Sequence, residues 1–202
     1  MGRYTGPKVR LSRRCGVPIA DIPKHTGKEL TLPGMHGYRG RRSTEYGIRL
    51  TEKQKLRHHY GVLEKQFRRY LDAAKRSKGN TANSLMQLLE LRLDNVCRRI
   101  GVGRTIWATR QIVAHGHVLL NGRRIDLPSA QVSAGDEIAL APSLKENGHV
   151  KASFETARGR GVVPEWLTVD TGMMAARVAR EPARNDISYP ITEQLIVELY
   201  SK

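Results

Sequence analysis

Residues 88–140 read LLELRLDNVCRRIGVGRTIWATRQIVAHGHVLLNGRRIDLPSAQVSAGDEIAL, and the fold is decided in this stretch. Leu88, Leu89, Val96 and Ile100, with Leu85 before them, recur at the helical period. They predict a helix from near Asn83, where Asn83 or Ser84 can cap, to Ile100, ended by Gly101 and Gly103. Thr105 suits the cap of a second helix, Ile106 to His115, because its hydroxyl can accept from an unpaired N–H of the first turn. Gly116 closes that helix. Val118–Leu120 and Arg124–Leu127 flank Asn121-Gly122, a pair suited to a two-residue hairpin turn. Gly135-Asp136 introduces another strand, Glu137–Leu140. The expected unit is two helices packed on a short, mostly antiparallel strand set, with arginines at helix ends and on the turn.

Upstream, Thr51 with Gln54 resembles a capping box, and a helix is expected from Glu52 to Tyr60, broken by Gly61. A further helix places Val62, Leu63, Phe67, Tyr70, Leu71 and Ala74 on one face. Its other face holds Lys65, Arg68, Arg69, Lys75 and Arg76, and Gly79 ends it. Residues 1–44 carry turn signals at Gly6-Pro7, Val17-Pro18, Ile22-Pro23 and Pro33-Gly34, which predict an extended basic arm. Downstream, a helix over 143–158 is interrupted at Asn147-Gly148, Trp166–Val169 reads as a strand, and Thr192–Leu199 as a helix or strand. The fold class is α+β. We expect the arm over 1–44, a helical lobe from 45–87 and 156–202, and an inserted RNA-binding module over 88–155.

Charge points to the partner. The 202-residue chain has 35 Lys and Arg against 19 Asp and Glu, a net charge of +16. Residues 1–79 hold 20 basic and 6 acidic residues, whereas residues 80–202 hold 15 and 13, so the excess sits at the N-terminal end. A protein this basic repels itself and calls for a polyanion. Apolar residues make up 39% and aromatics 5%, so core material is modest and parts of the arm are expected to order against a partner. No apolar run approaches the ~20 residues that span a bilayer. The start, MGRYTGPKVRLSRRCG, lacks the apolar stretch of a secretory signal, and Gly6 stands where myristoylation wants Ser or Thr. Cys15 and Cys97 are far apart, which argues for a reducing compartment and no disulfide framework.

Two basic clusters carry the functional reading. The arm alternates Arg3, Lys8, Arg10, Arg13, Arg14, Arg39, Arg41 and Arg42 with anchors such as Tyr4, Leu11, Ile19 and Tyr38. Such a pattern suits phosphate neutralisation and docking in RNA grooves. The second cluster is Arg98, Arg99, Arg104 and Arg110 with Arg123 and Arg124, and Gly116 and Gly122 could let a phosphate approach the backbone. Gln111, His115 and Asn121 could bond 2′-hydroxyls, and Lys53, Lys55, Arg68 and Arg69 extend the basic set along the upstream helices. Metal readings are weaker: His58-His59 point apart on a helix, and Cys15, His25 and His36 give only three loosely spaced ligands. We expect no metal and no cofactor. Catalytic elbows and phosphate loops are missing from the sequence. Arg92-Leu93-Asp94 matches a tripeptide at the catalytic aspartate of many pseudouridine synthases, but inside a helix Asp94 is expected to pair with Arg98. An RNA-modifying enzyme and a free ribosome-rescue binder remain the alternative readings.

The segments RYTGPK, LSRR, PGMHG, EYGIRLTEKQKLRHHYGVLEKQFRRY, KGNT, LLELRLDN, ATRQIVAHGHVLLNGRRIDLPS, QVSAGDEI, PEWLTVD and EQLIVELYSK, in this order, resemble the bacterial-type small-subunit ribosomal protein S-four family. The resemblance covers nearly the whole chain. With Cys15 as the lone arm cysteine, it is similar to the zinc-free form, not to members that hold zinc with four cysteines. The resemblance implies a structural, non-enzymatic component of the small ribosomal subunit. It implies a primary binder of a multi-helix junction in the 5′ domain of the ribosomal RNA, which nucleates assembly of the subunit body. It also implies contact with S-five, a part in translational accuracy with S-twelve, and a place near the channel where messenger RNA enters. A cytoplasmic, ribosome-bound protein without homo-oligomers or membrane contact is expected. The family's RNA-facing positions carry over as Arg92, Arg110, His115, Asn121 and Arg123, with Arg3 and Lys8 in the arm.

Overall fold

The computed structural model describes residues 2, 4–27, 29–37, 44–159, 163–170 and 172–201. Two compact units share the chain: Met1–Leu85 with Tyr189–Lys202, and Met86–Ser188. The division falls inside the helix Thr81–Glu90.

The first unit contains α1 (Lys8–Cys15), α2 (Pro23–Thr26), α3 (Glu45–His59), α4 (Glu64–Arg76) and the start of α5 (Thr81–Glu90). Its second chain segment adds the C-terminal helix Glu193–Leu199, which packs on α3. Leu56, Tyr60, Val62, Phe67, Leu71, Ala74, Leu85 and Ile196 are buried here. The helix expected from Glu52 begins earlier, because Thr44 caps α3 by accepting from Gly47 N–H at 3.2 Å. Thr51 instead donates its hydroxyl to the Gly47 carbonyl from within the helix.

The arm is less extended than expected. α1 and α2 fold against one another around Ser12, which is fully buried. Ser12 Oγ accepts the Ile19 N–H at 3.1 Å and lies 2.6 Å from His25 Nδ1. A hydroxyl has one proton to give and two lone pairs to accept with, so Ser12 serves both Ile19 and His25 from one side chain. Polar side chains thereby hold a turn that composition alone reads as open chain.

The second unit continues through α6 (Leu93–Ile100), α7 (Ile106–Ala114), β1 (Val118–Leu120), β2 (Arg123–Ile125) and β3 (Glu137–Leu140). It then adds α8 (Pro142–Lys145), α9 (Gly148–Gly159), β4 (Leu167–Asp170) and β5 (Ala175–Val178), and α10 is the Glu193–Leu199 helix of the first unit. The strands form one antiparallel sheet in the order β2-β1-β3-β5-β4. Val118, Ile138, Leu140, Ala176, Val178 and Leu167 join Leu93, Val96, Cys97, Ile100, Val113, Val150, Phe154 and Trp166 in its core. Residues 156–188 were expected in the helical lobe, yet they supply β4 and β5 and lie in this unit. Glu137↔Arg177, Ile138↔Ala176 and Ala139↔Ala175 pair across β3 and β5, a long-range match that local pattern does not reveal.

The helix expected from Asn83 to Ile100 is two helices. Arg92 has φ −70° and ψ 136°, and the chain there bonds to a neighbouring loop. Leu93 N–H donates to Ala130 O at 2.9 Å, Asp94 N–H to Pro128 O at 3.1 Å, and Val132 N–H to Leu91 O at 2.9 Å. These bonds replace the intrahelical ones that a continuous helix would make.

Candidate nucleic-acid interface

Helix α7 presents a sorted surface. Thr105 Oγ1 accepts the Ala108 N–H at 3.2 Å, and Ile106, Thr109 and Val113 are buried on one side. At 3.6 residues per turn, the opposite side holds Ala108, Gln111 and the C-cap His115, all exposed, and Arg104, also exposed, lies in the bend just before the cap Thr105. From Ala108 to the C-cap His115 the stripe runs about 10 Å at the helical rise.

The adjoining hairpin turns through Asn121 and Gly122, with φ of 51° and 77°. Both central residues in the left-handed region define the tight turn that matches strand twist. Asn121 tolerates it and also spends its side chain there: Nδ2 donates to Asp136 Oδ1 at 2.7 Å, and Oδ1 accepts the Glu137 N–H at 2.9 Å. Arg123 follows, exposed at the start of β2. Arg124 donates to the His115 carbonyl at 3.0 Å, tying β2 to the end of α7. The guanidinium fills the space where a Cβ on Gly116 would stand, so that glycine makes room for Arg124.

Beneath this surface lies a buried ionic frame. Asp94 is fully buried and receives Arg92 Nε at 3.0 Å and Nη2 at 2.6 Å. Arg110 Nη1 reaches the same carboxylate at 3.4 Å from α7. Burial pushes the Asp94 carboxyl up, and the two guanidiniums oppose that rise. Glu90, also fully buried, holds Arg99 through contacts of 3.1 and 2.5 Å and takes Asn95 Nδ2 at 2.6 Å. Arg98 bonds Asn95 Oδ1 at 2.8 Å, whereas the carboxylate of its expected partner Asp94 is buried and taken by Arg92 and Arg110.

The comparisons with known proteins agree with one another. Residues 3–90 match the family described as ribosomal protein S4/S9 N-terminal domain, and residues 91–138 match the S4 domain. The chain is 48% identical over 210 residues to the small ribosomal subunit protein uS4 of Aeromonas hydrophila subsp. hydrophila, with 100% of each chain covered. The chain belongs to the S-four family of small-subunit ribosomal proteins.

In this S-four family member the basic residues named from sequence fall into two groups. Arg104, Gln111, His115 and Arg123 are exposed in the second unit, and Arg10, Arg14, Arg68 and Arg69 in the first. Lys8 is half-buried. Arg92, Arg99 and Arg110 face inward onto carboxylates, as described. Lys53 is buried with its ammonium 2.9 Å from Glu64, and Lys55 sits 2.5 Å from Glu52. Arg13 is spent on the Thr31 and Leu32 carbonyls at 2.9 and 3.2 Å. Arg3, Arg39, Arg41 and Arg42 lie outside the described residues. Glu90 escaped notice in the sequence, since an acid inside a basic module reads as a solvated helix residue. Among the described residues no group of three or more His, Cys, Asp or Glu side chains could hold a metal ion, and His25 is engaged by Ser12. No described helix is long and apolar enough to cross a membrane.

Proposed function

We propose that this chain is a structural component of the small ribosomal subunit that binds its ribosomal RNA, with the exposed stripe of α7 and Arg123 as the central contact set. The observation that carries the reading is the stripe itself. Gln111 and His115 stand on one face of a short helix, with Arg104 exposed just before its cap; the other face is packed and the flank is tied by Arg110 to buried Asp94. A preset row of cations and hydrogen-bonding groups suits A-form RNA, whose deep groove hides base edges and leaves shape, phosphates and 2′-hydroxyls to be read.

On this reading Arg104 and Arg123 neutralise phosphates, and Gln111 and His115 address riboses. Arg10, Arg14 and Lys8 of α1, Arg68 and Arg69 of α4, and Arg3, Arg41 and Arg42 add sequence-independent affinity. Arg92, Arg99, Arg110, Lys53, Lys55 and Asn121 hold the binding surfaces in shape. Family likeness supports the finer picture: a junction in the 5′ domain as target, nucleation of the subunit body, contact with S-five, and a share with S-twelve in translational accuracy. It also supports a site near the channel where messenger RNA enters, a cytoplasmic ribosome-bound location and a role without catalysis. An enzymatic use of Asp94 is disfavoured, since its carboxylate is buried and held by Arg92 and Arg110.

Filter binding of Arg104→Ala and Arg123→Ala to a 5′-domain RNA transcript tests the contact set. Each variant should bind more weakly, and the slope of log affinity against log salt should fall by about 0.9 per lost duplex phosphate contact. Wild-type affinity and slope in both would remove α7 and the hairpin from the interface. Quantitative mass spectrometry across a high-salt sucrose gradient tests the role: one copy should stay with each small subunit.

A further inference from the structure

Helix α4 keeps two sets of cations apart. Phe67, Tyr70, Leu71 and Ala74 form its buried face. At about 100° per residue, Lys65, Arg69 and Arg76 fall within about 40° of one another on the opposite side. All three are exposed. Arg68 and Lys75 lie beside this stripe and are engaged by Tyr200. The Arg68 guanidinium stands 5.8 Å from the ring centroid, and Lys75 Nζ donates to the Tyr200 carbonyl at 3.2 Å. Lys65, Arg69 and Arg76 enter no ion pair among the described residues. Asp72 shares the stripe, three residues after Arg69 and four before Arg76, and pairs with neither. Beyond Arg76 the loop 77–80 is exposed, with Lys78 in it, and Asn80 Oδ1 accepts the Ala82 N–H at 2.9 Å at the start of α5.

Helix stability does not account for this row. The macrodipole favours cations in the last turn, which covers Arg76, but Lys65 stands in the first turn, where the dipole is positive. Its neighbour Glu64 is taken by Lys53, Arg57 and Tyr200. From Lys65 to Arg76 the stripe runs about 16 Å, a length over which one nucleic-acid strand carries about five phosphates in the DNA reference case. An acidic protein fits less well: interface cores favour aromatic side chains and are depleted in Lys, and between Lys65 and Arg76 no large apolar side chain is exposed. We propose that the outward stripe of α4, Lys65, Arg69 and Arg76 with Lys78 beyond it, is a docking surface for the phosphate backbone of a ribosomal RNA duplex. It gives the first unit an RNA grip of its own, separate from the α7 and Arg123 contacts of the second. The inference rests on the reading of the chain as a ribosomal RNA binder. Two surfaces on one chain raise each other's effective concentration, so losing either weakens the whole.

The test uses full-length protein and the 5′-domain transcript in filter binding over a salt series. Gln replaces the cations because it keeps helix propensity. The triple variant Lys65→Gln, Arg69→Gln, Arg76→Gln should bind roughly tenfold more weakly or worse, and its salt slope should fall by about 0.9 per lost duplex contact. Asp72→Asn should bind about twofold more tightly or better, because a charge that repels phosphate is gone. Misfolding cannot produce that gain. Hydroxyl-radical cleavage should show one run of duplex backbone that wild type protects and the triple variant exposes. Wild-type affinity and slope in the folded triple variant, or no tightening in Asp72→Asn, would overturn the proposal. So would a triple variant that binds RNA normally yet washes off the small subunit in a high-salt gradient, since the stripe would then face a protein. If Arg104→Ala and Arg123→Ala weaken binding while the triple variant does not, only this inference fails. If the triple variant alone binds weakly, the α4 surface stands and the α7 contact set fails.

Discussion

At the scale of single residues, arginines alike in sequence do different work. Arg92 and Arg104 both read as RNA-facing cations, yet Arg92 is 1% exposed against Asp94 and Arg104 is in solvent. Removing one partner of a buried pair leaves an uncompensated charge, so Arg92→Ala should lower unfolding free energy by about 3–5 kcal/mol in urea titrations. Arg104→Ala should stay within about 0.5 kcal/mol of wild type in the same assay while losing RNA affinity. Equal stability losses in the two variants would contradict this division. Ser12→Ala strands the Ile19 N–H and His25 Nδ1 together, and should cost about 1–3 kcal/mol in the first unit, read by hydrogen exchange at Ile19.

At the scale of elements, the hairpin and the capped helix fix where the contact residues stand. Asn121 combines a left-handed backbone with two side-chain bonds to the β3 end. Asn121→Ala should therefore destabilise by about 1–3 kcal/mol and speed amide exchange at Glu137, whereas a mere surface residue would change neither. Thr105→Ala should cost about 1 kcal/mol through the lost cap of α7, measured by thermal melting. Both features were legible beforehand, because Asn-Gly and Thr before an apolar run are local signals with local causes. The break at Arg92 was not legible: Leu88 to Ile100 keep a helical period, and only bonds to Pro128, Ala130 and Val132 interrupt it.

At the scale of the whole molecule, charge and titration set stability. His58 is pushed down to about 4 by burial and then by Arg57, Arg14 and Lys53. His25 is lowered by burial and then by Lys24 and Lys8. Between about 6.5 and the folded values, the unfolded chain holds more protons than the folded one, so stability falls as pH drops through this window. Burial pushes the Glu64 carboxyl up, but the Tyr200 hydroxyl, Lys53 and Arg57 together bring it below its ordinary value. Its contribution is present above about 4.5 and is lost as pH falls through the folded value. The urea midpoint of the first unit should therefore be lower at pH 5 than at pH 7.5, and His58→Gln should flatten that dependence.

The sequence by itself determined the class of partner, the α+β character and the place of α4, α7, β1 and β3, because net charge, helical period and turn chemistry are written in adjacent residues. Only tertiary structure decided which cations face out, for Arg99, Arg110 and Lys53 turn inward onto Glu90, Asp94 and Glu64, which folding brings to them. It also decided that β4 and β5 complete the sheet, since strand pairing between β3 and β5 joins segments dozens of residues apart. Local pattern reports which face of an element is apolar; what that face meets is fixed by the rest of the chain.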